Sequence, residues 1–340
     1  MVAVWEVTRA CDLCCVHCRA SASPERDPRE LSTAEAFELI EQLRELDPGV
    51  LVLTGGDPFE RPDLDLLIGQ AVARGLRVAI APSVTPSLTP AAIRRLADLG
   101  VCRVALSLDG PDAATHDRFR GAPGSFGATL AAIDAVRTAR LPLQINTALT
   151  RQTVEALPRT GGLVAEIAPV LWSVFFVVPV GRATPVQQLA PDSCERVFHF
   201  LYERSERSPV GVKTTAAPAY RRVVLQREAA RRDARRPRRP RPAAVNDGKG
   251  FLFVSHTGDV YPSGFLPLTT ENVRETRLAD VYRRGRLFRA LRDESRLEGR
   301  CGYCPFRSLC GGSRARAYAT TGNFLAEDPA CAYEPARPSA

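Results

Sequence analysis

What the chain lacks narrows its class. No run of about 18 apolar residues occurs along its 340 residues, so no membrane-spanning helix is expected. The N-terminus, Met1-Val2-Ala3-Val4-Trp5-Glu6, has no charged region followed by an apolar stretch. No secretory signal is therefore expected, and the cytoplasm is the default location. Most of the chain also lacks an excess of either charge. The net charge is +8, and ten arginines against Glu228 and Asp233 between Arg221 and Arg241 account for all of it. That excess sits in a proline-broken run, Arg235-Arg236-Pro237-Arg238-Arg239-Pro240-Arg241, and not along a folded face. It reads as a solvated segment, and nucleic acid is not expected as a partner.

The chain has the balance of a soluble globular protein, 45% hydrophobic and 25% charged, and its length suits one large domain or two. Its ten cysteines are clustered: four fall in residues 11–18, four in 301–331, and Cys102 and Cys194 stand alone as buried thiols. Cytoplasmic thiols stay reduced, so such clusters point to metal or catalysis before disulfides.

The first 180 residues alternate strand-like and helix-like patterns. Strands are expected at Val2–Thr8, Val50–Thr54, Arg77–Ala81, Arg103–Leu108, Leu143–Leu149 and Trp172–Val178. Helices are expected from a Ser32/Glu35 capping box through Leu46, and over Leu64–Arg74, Pro90–Leu99 and Phe126–Thr138. This repeat predicts an α/β fold, a partial (β/α)6 barrel of the TIM type, with chemistry on the loops that follow the strands. Further on, a helix is expected around Cys194–Arg204, a hairpin of Phe251–Val254 and Val260-Tyr261 turning at Gly258, a helix over Leu278–Arg292, and a final cysteine-rich stretch that is mostly loop.

Directly after the first strand comes Cys11-Asp12-Leu13-Cys14-Cys15-Val16-His17-Cys18. Cys11, Cys15 and Cys18 form a C-x3-C-x2-C pattern. Three thiolates on one loop suffice for three irons of a [4Fe–4S] cube and leave the fourth iron open. A zinc site with His17 as fourth ligand is the alternative, since zinc takes four such donors. After the second strand stands Thr54-Gly55-Gly56-Asp57-Pro58, where glycines let backbone approach a ligand closely. Taken together, the two motifs resemble the radical S-adenosylmethionine (SAM) superfamily, over the first 180 residues and, separately, the last 90.

The resemblance implies roles for individual residues. Cys11, Cys15 and Cys18 would hold the cluster and make SAM cleavage possible, with Cys14 a spare thiol and His17 approaching the adenine. Gly55, Gly56, Asp57 and Pro58 match the G-G-E-P motif that contacts the methionyl amino group, with an acid one methylene shorter. Ser83 after the third strand, Ser107 and Asp109 at the fourth, Asn146 on the fifth and Gly181 after the sixth match positions that contact the rest of SAM. The reaction implied is reductive cleavage of SAM to a 5′-deoxyadenosyl radical, which takes hydrogen from a substrate C–H bond. An electron donor such as flavodoxin or ferredoxin is implied as a partner.

Near the C-terminus, Cys301, Cys304, Cys310 and Cys331 follow a C-x2-C-x5-C-x20-C spacing. Four cysteines can ligate one [4Fe–4S] cluster completely; a zinc knuckle is the alternative. The spacing resembles the SPASM/twitch extension of the superfamily. The full extension holds two auxiliary clusters, but the positions for the other cluster are Ser263 and Ser313 here, which implies a single auxiliary [4Fe–4S] cluster. The organisation expected is a radical SAM core at 1–190, a connector at 191–249 and a small cysteine-rich iron–sulfur domain at 250–340.

For the substrate, Val260–Pro267 and Arg314–Ala319 resemble the branch that makes haem by the sirohaem-derived route. Its enzymes modify propionate side chains of a tetrapyrrole. Arg314 and Arg316 are either carboxylate partners or structural. Modification of a ribosomally made peptide is the second reading, and a non-catalytic iron–sulfur protein the third. The intact three-cysteine loop and Gly55-Gly56-Asp57-Pro58 argue against the third.

Overall fold

A computed structural model of the protein describes residues 1–230, 244–269 and 271–336. The Arg/Pro run at 235–241, expected to be solvated, lies outside the described residues. Strand and helix alternate along the first half as the periodicity predicts. The elements are β1 (Val2–Thr8), α1 (Thr33–Leu46), β2 (Val50–Gly55), α2 (Leu64–Ala73), β3 (Val78–Ile80), α3 (Pro90–Asp98) and β4 (Arg103–Ser107). Then follow α4 (Ala113–Arg120), α5 (Ser125–Thr138), β5 (Leu143–Leu149), α6 (Leu157–Ile167) and β6 (Leu171–Phe176). Helix α1 starts on the expected capping box: Ser32 Oγ accepts from the Glu35 N–H, and the Ser32 N–H donates to Glu35 Oε2.

The parallel sheet does not stop at six strands. Residues read as a connector carry α7 (Pro191–Arg207), β7 (Gly211–Thr215) and α8 (Tyr220–Ala229). β7 pairs parallel with β6, and the hairpin strand β8 (Phe251–Val254) pairs parallel with β1. The order is β7-β6-β5-β4-β3-β2-β1-β8-β9, where β9 (Val260–Tyr261) is antiparallel to β8. The sheet curls so that β7 and β8 border one cavity without pairing, which leaves a partial barrel with an open seam.

Each strand turns one face to the helices and the other into the barrel. On β1, Ala3, Trp5 and Val7 join the main apolar core, as do Leu51 and Leu53 of β2 and Trp172, Val174 and Phe176 of β6. The alternate positions, including Glu6, Thr8, Gln144, Asn146 and Ser173, line the concave side. Polar residues inside otherwise apolar strands therefore mark the lumen.

Tertiary context overrides the local pattern in four places. α4 was not expected, because its buried residues are His116, Phe119 and Arg120. α6 carries Gly161 at a buried position, where an added Cβ would stand 3.2 Å from Trp172 and from Phe200. The helix expected over Leu278–Arg292 is two, α9 (Leu278–Arg284) and α10 (Arg286–Arg292), broken at Gly285. The C-terminal stretch expected as loop contains α11 (Gly299–Tyr303) and α12 (Arg314–Thr321), the latter capped by Ser313.

Glu6 ties the barrel to both cysteine-bearing halves. It accepts from Arg19 at 2.6 Å and Arg9 at 3.0 Å, and pairs with His256 Nδ1 at 3.0 Å. Burial alone would raise its pKa; Arg19, His256 and Arg9 outweigh burial and hold it at about 2, below the ordinary 4.5. The unfolded chain thus binds the proton more tightly, so the stabilisation is full above pH 4.5 and lost as pH falls toward 2. Glu6→Gln should cost about 3 kcal/mol near neutral pH. Urea unfolding checks this: the gap between variant and wild type should shrink to below about 1 kcal/mol by about pH 2.5. An equal gap at both pH values would contradict the assignment.

Candidate active site

The loop after β1 is closed at its root. Cys11 N–H donates to Ser23 O at 2.8 Å and Ser23 N–H to Arg9 O at 3.3 Å. Cys11 and Cys15 are buried, Cys18 is half-buried, and Cys14 points outward. Backbone N–H groups reach two of the sulfurs: Leu13 to Cys11 Sγ at 3.4 Å and Ala22 to Cys18 Sγ at 3.5 Å. Burial first, then Asp57 and Cys15, raises the Cys11 pKa. Burial also raises Cys15, where Arg120 opposes it and Asp109 and Cys18 add to it. The thiols thus act on one another within one small space and would be held as thiols until a metal displaces their protons.

Two glycine-containing loops clamp this one from opposite sides. The Gly56 N–H donates to Thr8 O at 2.9 Å and the Asp57 N–H to Ala10 O at 2.7 Å. A Cβ on Gly55 would meet Thr8 O at 2.4 Å, and one on Gly56 would meet Ala10 O at 2.3 Å. Gly181, at φ +67°, lies against the carbonyls of Cys18 and Arg19. Its neighbour Arg182 donates from Nε to Cys15 O at 2.9 Å and from Nη1 to Ala22 O at 2.7 Å. Arg182 carries no signal in the sequence beyond its place after the sixth strand.

Asp57 faces inward. Its Oδ1 accepts from the Phe59 and Ser83 N–H groups, and its Oδ2 accepts from Thr85 Oγ1 at 2.7 Å. Burial, only partly offset by these bonds, raises its pKa to about 6. The carboxyl thereby joins the loops after β2 and β3, while Pro58 opens the short helical turn Pro58–Glu60. Ser83 Oγ donates to Gly56 O at 3.1 Å and lies 3.5 Å from Cys11 Sγ, so the two predicted loops meet at the first cysteine.

Asp109 is likewise committed to protein partners. It accepts from the Ala148 N–H at 2.7 Å and from Arg120 at 2.9 Å. Burial would raise it, but the guanidinium of Arg120 keeps it below the usual carboxylate range. His17 stacks on Phe119, with centroids 4.1 Å apart and planes at 13°. Burial lowers its pKa to about 4, which keeps the ring neutral. Ser107 and Asn146 sit side by side on β4 and β5, and Asn146 Oδ1 accepts from Gln144 at 2.7 Å. Phe119 and Arg120 were missed in the sequence because α4 has no apolar period to read.

The donor set suits a cubane cluster with SAM. Three thiols ring a loop held by backbone, and the His17 Nδ1 and Arg182 Nη2 atoms beside them are buried without a partner among the described residues. No three of His, Cys, Asp and Glu among the described residues converge as a single ion requires. Ligands of different corners of a cube need not converge so tightly.

At the other end, Cys301, Cys304, Cys310 and Cys331 line one pocket with Arg222 and Tyr333. Gly312 N–H donates to Cys310 Sγ at 3.3 Å and Arg314 Nη2 to Cys301 Sγ at 3.7 Å. Arg314 also donates to the carbonyls of Phe324 and Ala326, and Arg316 pairs with Asp328 and donates to Ala216 O. Both arginines are therefore structural. Ser263 accepts from the Phe265 N–H and Ser313 caps α12, so each serine has a local role where the full extension has cysteine. Buried Cys194 stands near Cys331, Arg316 and Asp328, a proximity the sequence does not reveal.

Replacing Cys304 by serine should remove about four irons and leave SAM cleavage without substrate unchanged. Iron analysis and a 5′-deoxyadenosine assay measure both; loss of all iron would contradict two independent sites.

Residues 5–161 match the family model described as the radical SAM superfamily. The chain is 38% identical over 337 residues to an AdoMet-dependent heme synthase of Methanosarcina barkeri strain Fusaro, covering 98% of this chain and 96% of that protein. It is 39% identical over 339 residues to the AdoMet-dependent heme synthase of Nitratidesulfovibrio vulgaris strain Hildenborough, covering 98% and 92%. The crystal structure of Streptococcus suis SuiB bound to S-adenosylmethionine superposes with a TM-score of 0.75 at 16% identity, over 98% of this chain and 77% of that one, a likeness of fold.

Proposed function

The chain belongs to the radical SAM superfamily, and from that premise we propose that it abstracts hydrogen from a side chain of a haem-pathway tetrapyrrole. The observation that carries the reading is the end-to-end similarity to two AdoMet-dependent heme synthases, which spans both cysteine sets. It is a radical SAM enzyme that uses a [4Fe–4S] cluster, SAM and an auxiliary cluster. When bound, the reduced cluster with SAM supplies a 5′-deoxyadenosyl radical able to attack an unactivated C–H bond.

The residues then divide the work. Cys11, Cys15 and Cys18 would hold the first cluster, on a loop whose position Gly56, Gly181 and Arg182 fix. Asp57 keeps the loops after β2 and β3 in register, where they would hold the methionine end of SAM. His17, neutral and backed by Phe119, offers a flat face for the adenine. Asp109 and Arg120 neutralise each other, so this buried pair adds no net charge beside the cysteines. Cys301, Cys304, Cys310 and Cys331 would ligate the auxiliary cluster completely, which suits it to electron transfer and not to substrate binding.

A flavodoxin or ferredoxin is the reductant this reading calls for, and the cytoplasm its location. No helix among the described residues is long and apolar enough to cross a membrane.

An iron porphyrin bearing propionates deuterated in their methylene groups tests the reading. With SAM and dithionite, deuterium should appear in 5′-deoxyadenosine. Formation of 5′-deoxyadenosine at the same rate with and without porphyrin, and free of deuterium, would overturn it.

A further inference from the structure

The open seam between β7 and β8 holds a cavity of about 690 Å³. That is within the usual range for small-molecule sites, about 300–1,000 Å³. At one end it reaches Val2 and Phe251, at the N-terminal ends of β1 and β8. At the other it reaches Ser263 and Phe265. Phe265 packs against Phe175 of β6, and Arg19 of the cysteine loop donates to the next carbonyl back, Gly264 O, at 3.4 Å. The cavity also borders the start of α8, where Arg221 lines it and the adjacent Arg222 lines the pocket of the four C-terminal cysteines. It thus adjoins residues next to each of the two cysteine sites.

Its lining charge is positive on balance, Lys213 and Arg221 against Asp247. Lys213 shares the lumen face of the sheet, since it pairs in register with Ser173, which pairs with Asn146. It is exposed and lines the cavity, and the protein around it lowers its pKa. The other groups acting on it are the Arg103 and Arg221 guanidiniums, with no carboxylate among them. Arg103 donates to Gln144 at 3.2 Å and Arg221 to Leu309 O at 3.4 Å, both uncharged partners. Asp247 also lines the cavity, but it accepts from the Ala315 N–H at 3.0 Å. The chain has only two lysines, Lys213 and Lys249, and the latter is paired with Glu294. Two lining cations, Lys213 and Arg221, thus face a single lining carboxylate, Asp247, and the positive excess favours an anionic occupant.

We propose that the seam cavity receives the substrate and that Lys213 and Arg221, which line it, bind its carboxylates. The occupant is an apolar, flat molecule with several carboxylate arms: the arms meet the cations and the body lies against Phe265 and Phe251. The assignment rests on the tetrapyrrole reading above and names where that substrate is held. It also supplies the carboxylate partners that Arg314 and Arg316 do not provide.

The test titrates the anaerobically reconstituted enzyme with an iron porphyrin carrying four propionates and with its tetramethyl ester. SAM cleavage without porphyrin is measured in parallel. Lys213→Gln should weaken tetra-acid binding by about tenfold or more, the worth of one charged hydrogen bond. Lys213→Arg should keep most of it, and ester binding should be the same in wild type and in both variants. Equal tetra-acid binding by wild type and Lys213→Gln would overturn this site while leaving the tetrapyrrole reading intact. Failure of the wild type to bind the tetra-acid would overturn both. Loss of porphyrin-independent SAM cleavage in Lys213→Gln would assign the lysine to SAM and overturn the proposal as well.

Discussion

Replacing Gly56 by alanine should lower the rate of SAM cleavage about a hundredfold although it adds only one methyl group. The added Cβ would stand 2.3 Å from Ala10 O, 2.5 Å from Arg9 O and 2.7 Å from Ala10 C. All three are backbone atoms at the root of the cysteine loop, and no side chain can rotate out of the way. The loop root must move by about 1 Å, and a shift of that size costs about a hundredfold in a reaction that depends on alignment. The Asp57 N–H to Ala10 O bond would be lost with it, and overpacking should lower stability by about 1–3 kcal/mol. Gly69 is the control. It lies within α2 with nothing within 4 Å of an added Cβ, so Gly69→Ala should stabilise the protein by about 0.5–1 kcal/mol and leave cleavage unchanged. Rates of 5′-deoxyadenosine formation and melting curves for the pair decide the matter. A fully active Gly56→Ala would show that the loop root is not held as described.

Cys15→Ala should end SAM cleavage, for a chemical and not a steric reason. A cube needs three thiolates from the loop, and Cys15 is a buried one, whose carbonyl Arg182 holds. The fold should survive, because Arg182, Gly56 and the Cys11–Ser23 bond position the loop through backbone atoms that the substitution leaves in place. Iron should fall from about eight per chain to about four, with the remainder on the C-terminal cysteines. Cys14→Ala should change neither quantity, since that thiol is exposed. Retained cleavage in Cys15→Ala would remove the loop from the mechanism.

The sequence made some of this legible and not the rest. Strands β1 to β6 are apolar on the face that meets the helices, so their periodicity could be read directly. β7 could not, because its residues Gly211-Val212-Lys213-Thr214-Thr215 face a cavity and carry no apolar signal. The motif glycines were found as ligand-approach positions, but the contacts they make in this chain are with the cysteine loop itself. Asp57 and Asp109 were found by position. Their inward pairing depends on Thr85, Ala148 and Arg120, which reach them only through the fold. Arg314 and Arg316 show the opposite limit. Their run allows either carboxylate contact or structural pairing, and only the fold decides: both are buried and bonded to backbone or to Asp328.

The central claim, a two-cluster enzyme that cleaves SAM, is tested most directly by anaerobic reconstitution with an iron count and a dithionite-driven 5′-deoxyadenosine assay. About eight irons per chain with 5′-deoxyadenosine formed is the result predicted. About four irons, or zinc, with no 5′-deoxyadenosine would contradict it.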